Sequence, residues 1–254
     1  MDERFTTKKA SHNYNTRKRD LPSLPYIMKQ TWTDSLFIHY PVNQQVLQKY
    51  VPDVLPIDTY DGMGWISVVP YLTSSMKLRG FPSIPGARQF PGYNVRTYVI
   101  VNGRPGIYFF SLTAANLIAS TAARFFFRLP YYYLEIYMDN HNELVNFHSK
   151  SIKNSGAQLI CNYKPISKPN PAAKGSLDEW LVERYCLFTI TKKGVPLRCN
   201  ILHRSWLLQD VEVEIHKNTI LSALNISPAT NEVIMHFSKR ADVSIWPLVP
   251  AIYS

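Results

Sequence analysis

The sequence predicts a strand-dominated α+β protein: a mixed sheet closed into a barrel, with about three short helices. Three observations carry this. Glycine is sparse at 10 residues, whereas proline at 18 and tyrosine at 16 are abundant, a balance that favours short strands joined by fixed turns. The β-rich runs are short, numerous and separated by turn signals. Only three segments carry helical patterning, and each lies between strand-like runs, so closing the sheet with helices outside or capping it is the simplest packing.

In chain order, SLFIHY (35–40) reads as a strand and NQQVLQKYV (43–51) as a short helix capped by Asn43. Asp61-Gly62 marks a turn before a strand over 64–71. Residues 76–92 hold three prolines and three glycines and read as a loop. NVRTYV (94–99) and GIYFFSL (106–112) form a hairpin about Asn102-Gly103. The alanine-rich segment 113–127 is helical, ends at Leu129-Pro130, and is followed by a strand over 131–138. Strands follow at 144–150 and 157–163. Lysine and proline make 164–175 an exposed loop. SLDEWLVERY (176–185) is a helix with capping-box spacing between Ser176 and Glu179. CLFTI, LRCNILH, VEVEI and VIMHFS supply the remaining strands. Residues 29–254 read as one domain, and residues 1–28 as a basic N-terminal arm, disordered or loosely attached.

The net charge of +10 is partly local, because residues 1–29 carry seven basic against three acidic residues. Arg17-Lys18-Arg19 is a short run that reads as a solvated tail in preference to a nucleic-acid contact, so no nucleic-acid partner is expected. Cys161, Cys186 and Cys199 show no CxxC spacing and suit a reducing, cytoplasmic setting. No apolar run is long enough to span a membrane. The seven histidines lack ligand spacing, and His39, His203 and His236 read as structural; no metal or cofactor is expected.

The chemistry concentrates between Lys77 and Lys150, where every cation is an arginine: 79, 88, 96, 104, 124 and 128. In NVRTYV, Val95, Thr97 and Val99 alternate with Asn94, Arg96 and Tyr98, so the guanidinium shares a strand face with an amide and a phenol. Aromatic walls with convergent arginines suit a small organic anion. The competing reading pairs Arg96 and Arg124 with Glu135 or another internal acid. Tyr131 and Tyr133 share a face with Glu135 and Tyr137, which raises acid–base chemistry by tyrosine against a plain amphipathic wall.

The segments NVRTYV, PGIYFFSL, AARFFFRLPY, SLDEWLVERY, ILHRSW and VIMHFSKRADVSIWPL, with LFIHYPV and DTYDGMGWISVVPY, resemble the YqjF-like family of uncharacterised bacterial proteins. That family is more distantly similar to acetoacetate decarboxylase, which implies a closed or conical β-barrel with a central cavity. In the decarboxylase, a lysine following a proline at a helix end forms a Schiff base with the keto acid. Here Tyr131 follows Pro130, and no lysine lies between 78 and 149. Relatives carry an acid two residues before the asparagine of NVRTY; this chain has Gly92. The resemblance therefore implies a cavity that keeps its arginine without an imine-forming amine. The expected ligand is a small organic acid or aromatic compound, held by Asn94, Arg96, Tyr98, Tyr108, Phe110, Arg124, Tyr131 and Tyr132. Two alternatives remain: a lyase or hydrolase using non-lysine acid–base groups, and a structural or partner-binding protein with a filled lumen.

Overall fold

The structure, a computed structural model, describes residues 23–81, 89–150, 152 and 156–251. Its elements are β1 (Met28–Val42), α1 (Gln44–Gln48), β2 (Gly64–Leu78), β3 (Phe90–Val101), β4 (Arg104–Ala114), α2 (Leu117–Phe127), β5 (Tyr131–Tyr133), β6 (Ile136–His141) and β7 (Leu144–Ser149). There follow β8 (Leu159–Pro165), β9 (Asn170–Pro171), α3 (Leu177–Val182), β10 (Cys186–Ile190), β11 (Pro196–Leu202), β12 (Leu207–Leu208), β13 (Val211–Asn218), α4 (Ile220–Ala223), β14 (Ile234–Ile245) and β15 (Val249–Pro250).

The chain is strand-dominated α+β with four short helices among the described residues. A nine-stranded sheet runs β10-β11-β14-β1-β2-β3-β4-β5, with β15 added to β11. Strand β10 also pairs in parallel with β4, through Leu187 with Ile107 and Phe188 with Tyr108. A four-stranded sheet, β13-β8-β7-β6, and a short β12-β9 pair complete the described strands.

Alternation along β1–β3 explains why these strands are buried on both sides. Leu36, Ile38, Ile66, Val68, Val95 and Val99 pack outward with Val145, Phe147, Leu159, Cys161 and Tyr163 of the four-stranded sheet. The intervening Phe37, Val69 and Tyr98 belong to a second cluster with Ile107, Phe109, Leu187, Ile201 and Val243. Period-two alternation thus serves two packed layers.

The predicted local signals map onto real termini. Asn102 (φ 51°) and Gly103 (φ 72°) both adopt the left-handed conformation of a primed hairpin turn between β3 and β4. Asn43 Oδ1 accepts from the Gln45 N–H (2.8 Å) at α1. At α3 the Ser176 hydroxyl accepts from the Glu179 N–H (3.2 Å), while Glu179 reaches one residue further back, to the Gly175 N–H (2.7 Å).

Four expectations change. Strand pairing extends into the expected 76–92 loop: β2 continues to Leu78 and β3 begins at Phe90, with 82–88 outside the described residues. The helix expected over 113–127 starts only at Leu117, because β4 keeps pairing to Ala114 and Asn116 caps the helix by accepting from the Ala119 N–H (2.9 Å). The strand expected over 131–138 divides: β5 pairs with β4 in the large sheet, whereas β6 opens the four-stranded sheet. Helix α4 carried no sequence signal, and its Thr219 makes no side-chain capping bond. The basic arm over 1–22 lies outside the described residues. Further on, the Ile27 N–H donates to the Ile245 carbonyl (2.8 Å) and Trp246 Nε1 donates to the Leu24 carbonyl (2.7 Å), fastening that stretch to the end of β14.

Candidate functional site

The inward faces of β1–β4 and β11 surround a cavity of about 900 Å³. On β3 it is lined by Asn94 and Arg96, on β2 by Val69, Tyr71 and Thr73, and on β1 by Phe37 and Trp32. The two-residue turn at Asn102-Gly103 sets the β3–β4 register so that Ile107 lies opposite Tyr98 and Phe109 opposite Arg96, and the register shifts only beyond them, between Arg96 and Val95. The extra residue at this bulge resets the alternation of β4, so Ile107, Phe109 and Leu112 line the cavity.

Three cations line the cavity, and no aspartate or glutamate is among its described lining residues. They are not equivalent. Arg184 is 4% exposed, but its Nη1 donates to Asp58 Oδ2 (2.6 Å) and its Nε to the Trp180 carbonyl (2.8 Å). Arg79 is exposed and lies over the Tyr26 ring at 5.0 Å. Arg96 is 7% exposed and lies over Phe37 at 5.6 Å, and its Nε and Nη2 have no hydrogen-bond partner among the described residues. Asn94, also 7% exposed, carries an unpartnered Oδ1. The expected alternative of an internal ion pair has no counterpart here: Glu135 is paired with Lys150 at the surface, and no salt bridge joins Arg96 or Arg124 to an acid among the described residues.

Two phenols complete the polar lining. Tyr71 and Tyr131 share a hydrogen bond. Burial pushes Tyr131 up to about 12 and Tyr71 well above the usual phenol range. Both are therefore neutral hydrogen-bonding groups near neutral pH, and neither is a ready base. Tyr131 occupies the position after Pro130 where the resemblance puts the Schiff-base lysine, and no described lining residue is a lysine.

His203 also lines the cavity, at 5% exposure, with rings of Tyr185 (4.8 Å) and Trp206 (5.2 Å) beside it. Its Nδ1 lies 2.6 Å from the Arg204 carbonyl, which puts the proton on that nitrogen in the neutral ring. Burial lowers its pKa, aided by Arg96 and opposed by the buried Glu183. Glu183 itself accepts from the Trp206 N–H (2.8 Å) and from the Tyr185 hydroxyl. Further along the same strand faces, His39 Nδ1, Ser67 Oγ and Tyr98 OH form a buried network beside the cavity with two 2.6 Å contacts. Burial, His236 and Arg96 together hold His39 well below the ordinary imidazole range.

The eight residues singled out in the sequence separate into three places. Asn94, Arg96 and Tyr131 line the large cavity. Tyr108, Phe110, Arg124 and Tyr132 line a second pocket of about 360 Å³, with Arg128 and Thr189, and Tyr131 borders both. Tyr98 shares the inner face with Arg96 but does not line either pocket; it is buried over Trp180 at 4.7 Å. The sequence reading missed Tyr71, Trp32, Trp206 and His203 as lining residues. Tyr71 had a signal, the alternation Ser67, Val69, Tyr71; the other three come from strands and loops far apart in the chain. At Gly92 an added Cβ would stand 2.5 Å from the Thr113 carbonyl oxygen, so any side chain there has no room without a backbone shift.

Among the described residues no group of three histidine, cysteine or acidic side chains could hold a metal ion, and no helix is long and apolar enough to cross a membrane. In fold, the chain is similar to the enduracididine biosynthesis enzyme MppR in complex with pyruvate: TM-score 0.61, 9% identity, covering 92% of this chain and 95% of that one. It is similar to acetoacetate decarboxylase from Legionella pneumophila at TM-score 0.58 and 13% identity, covering 93% of both chains. It also resembles an acetoacetate decarboxylase-like enzyme from Sphingomonas wittichii, at TM-score 0.60 and 12% identity, with 89% and 94% covered. In sequence it is 42% identical over 248 residues to the uncharacterized protein YqjF of Bacillus subtilis, covering 98% of each chain. With residues 29–242 matching it, the chain belongs to the DUF2071 family, described as an uncharacterized conserved protein.

Proposed function

We propose that this protein is a barrel that binds a small organic acid and has no Schiff-base chemistry. The observation that carries the reading is Arg96: a buried guanidinium facing a cavity that no described acid lines, with Nε and Nη2 unmet among the described residues. Leaving such donors unmet costs free energy that a carboxylate would recover through the planar fork. The pairing of β10 with β4 supports reading the large sheet as a closed barrel around this cavity. MppR, similar in fold, is described in complex with pyruvate, itself a carboxylate. Tyr131 in place of an amine removes the route to an imine. The volume and the absence of an acid partner favour a bound guest over a filled lumen with an internal ion pair.

Isothermal titration of the protein with a panel of monocarboxylates, repeated on Arg96→Met, tests the reading. Binding by the wild type that Arg96→Met loses by roughly tenfold or more supports it; affinities unchanged by the substitution overturn it. Borohydride treatment with a keto acid is expected to leave the protein's mass unchanged, and a covalent adduct on a lysine would refute the imine-free claim. The lyase or hydrolase alternative rests on His203, the cavity-lining group whose ordinary pKa lies nearest neutrality. Turnover in a metabolite screen, lost in His203→Asn, would establish it.

A further inference from the structure

The cavity says more about its guest than that it is an acid. At about 30 Å³ per water, 900 Å³ corresponds to roughly thirty waters, and a three-carbon acid would displace only a few of them. The volume matches the upper range of cavities that enclose drug-sized molecules. Most of the wall cannot satisfy water. From Arg96 a continuous aromatic surface runs outward: Arg96 lies over Phe37, Phe37 meets Trp206 edge-on (5.0 Å), Trp206 stacks on Trp32 (6.3 Å, 14°), and Trp32 leans on Tyr71 (5.8 Å). Two of the polar edges along this surface are already engaged. Trp32 Nε1 donates to Gln30 Oε1 (2.7 Å), and the Tyr71 hydroxyl is taken by Tyr131. Arg184 is neutralised from behind by Asp58. At the exposed end stand Arg79 and Phe81, the latter 70% exposed. One buried cation, with no acid among the described lining residues, thus sits at the buried end of a largely apolar corridor.

Resting on the carboxylate reading, we infer that the natural guest is a bulky apolar monocarboxylate. Its carboxylate seats on Arg96, and its multi-ring or long-chain body lies against the Phe37–Trp206–Trp32–Tyr71 surface. A short keto acid such as pyruvate fills too little of this wall to bind well.

The test is a homologous series of straight-chain monocarboxylates, from three to ten carbons, with naphthoate as an aryl probe. Wild-type protein is titrated calorimetrically and by the fluorescence of Trp32 and Trp206. Affinity is expected to rise roughly threefold to fourfold per added methylene, with naphthoate far above pyruvate. The primary alcohol matching the longest acid is expected to bind at least tenfold more weakly than that acid. A flat series, in which pyruvate and decanoate bind alike, overturns the inference and leaves the carboxylate reading standing. Equal affinity for decanoate and decanol overturns the carboxylate reading on which the inference rests. Because the series uses the unaltered protein, neither outcome depends on a variant that folds.

Discussion

Two pockets of this protein are lined by arginine and aromatic rings, yet they are chemically unlike. The large cavity holds Arg96 buried, over Phe37, with donors unmet. The smaller pocket holds Arg124 and Arg128 at the end of α2, both exposed. In water a guanidinium hydrates its donors at no cost, so an exposed arginine implies no partner. Inside the sheet the same group is expensive unless met, so the proposed guest is assigned to Arg96 and not to Arg124. Residue type is shared between the two sites, and burial separates them.

The largest expected effect breaks this contrast directly. Arg96→Met is expected to cost carboxylate affinity about tenfold to a hundredfold while leaving the melting temperature unchanged or higher, since it removes an unpaired buried charge. Arg124→Met is expected to change neither. A loss of ~3–5 kcal/mol in Arg96→Met on denaturant titration would instead indicate a buried acid partner.

Next is Gly92, at the Thr113 end of the β3–β4 ladder. Gly92→Ala is expected to destabilise by about 1–3 kcal/mol, because the methyl group would press on a backbone carbonyl. An unchanged denaturation midpoint would show that the two strands yield there.

The acid limb of stability sharpens the contrast from another side. His39 and His203 are both held below their ordinary pKa, chiefly by burial, so the unfolded chain binds protons more readily than the folded one. Their contribution is fully present above about pH 6.5 and is lost as pH falls through the ordinary imidazole range toward the depressed values. Chemical denaturation between pH 7.5 and 5 is expected to show falling stability, with a shallower slope in His203→Asn. An equal slope would mean that His203 is protonated without penalty in the fold.

The smallest effect belongs to the exposed pocket. Arg128 ends α2 at φ 51°, a left-handed position that disfavours any residue with a Cβ. Arg128→Gly is expected to raise stability by about 1 kcal/mol by relieving that strain. A lower midpoint would show that its side chain makes a contribution larger than the backbone cost.

Several features were legible along the chain because their causes are local. The alternation in NVRTYV assigned Val95 and Val99 to a packed layer and Asn94 and Arg96 to the opposite face. Asn102-Gly103 marked the hairpin because few other pairs tolerate two left-handed residues. Ser176 marked α3, and the run without lysine from 78 to 149 left no nearby amine for an imine.

Other features had no local cause to read. Leu112, not Ser111, joins Asn94 at the cavity because one extra residue on β4 shifts its register against β3, and a bulge is a property of two strands together. Tyr131 and Glu135 part because β5 and β6 join different sheets. The neutralisation of Arg184 by Asp58 spans 126 positions, and the Trp32–Trp206 stack spans more. Sequence by itself determined which residues share a strand face and which chemistry is missing, since neighbours set both. Only the tertiary structure decided which arginine is left without a partner among the described residues, because burial and charge pairing arise from segments that meet across the sheet.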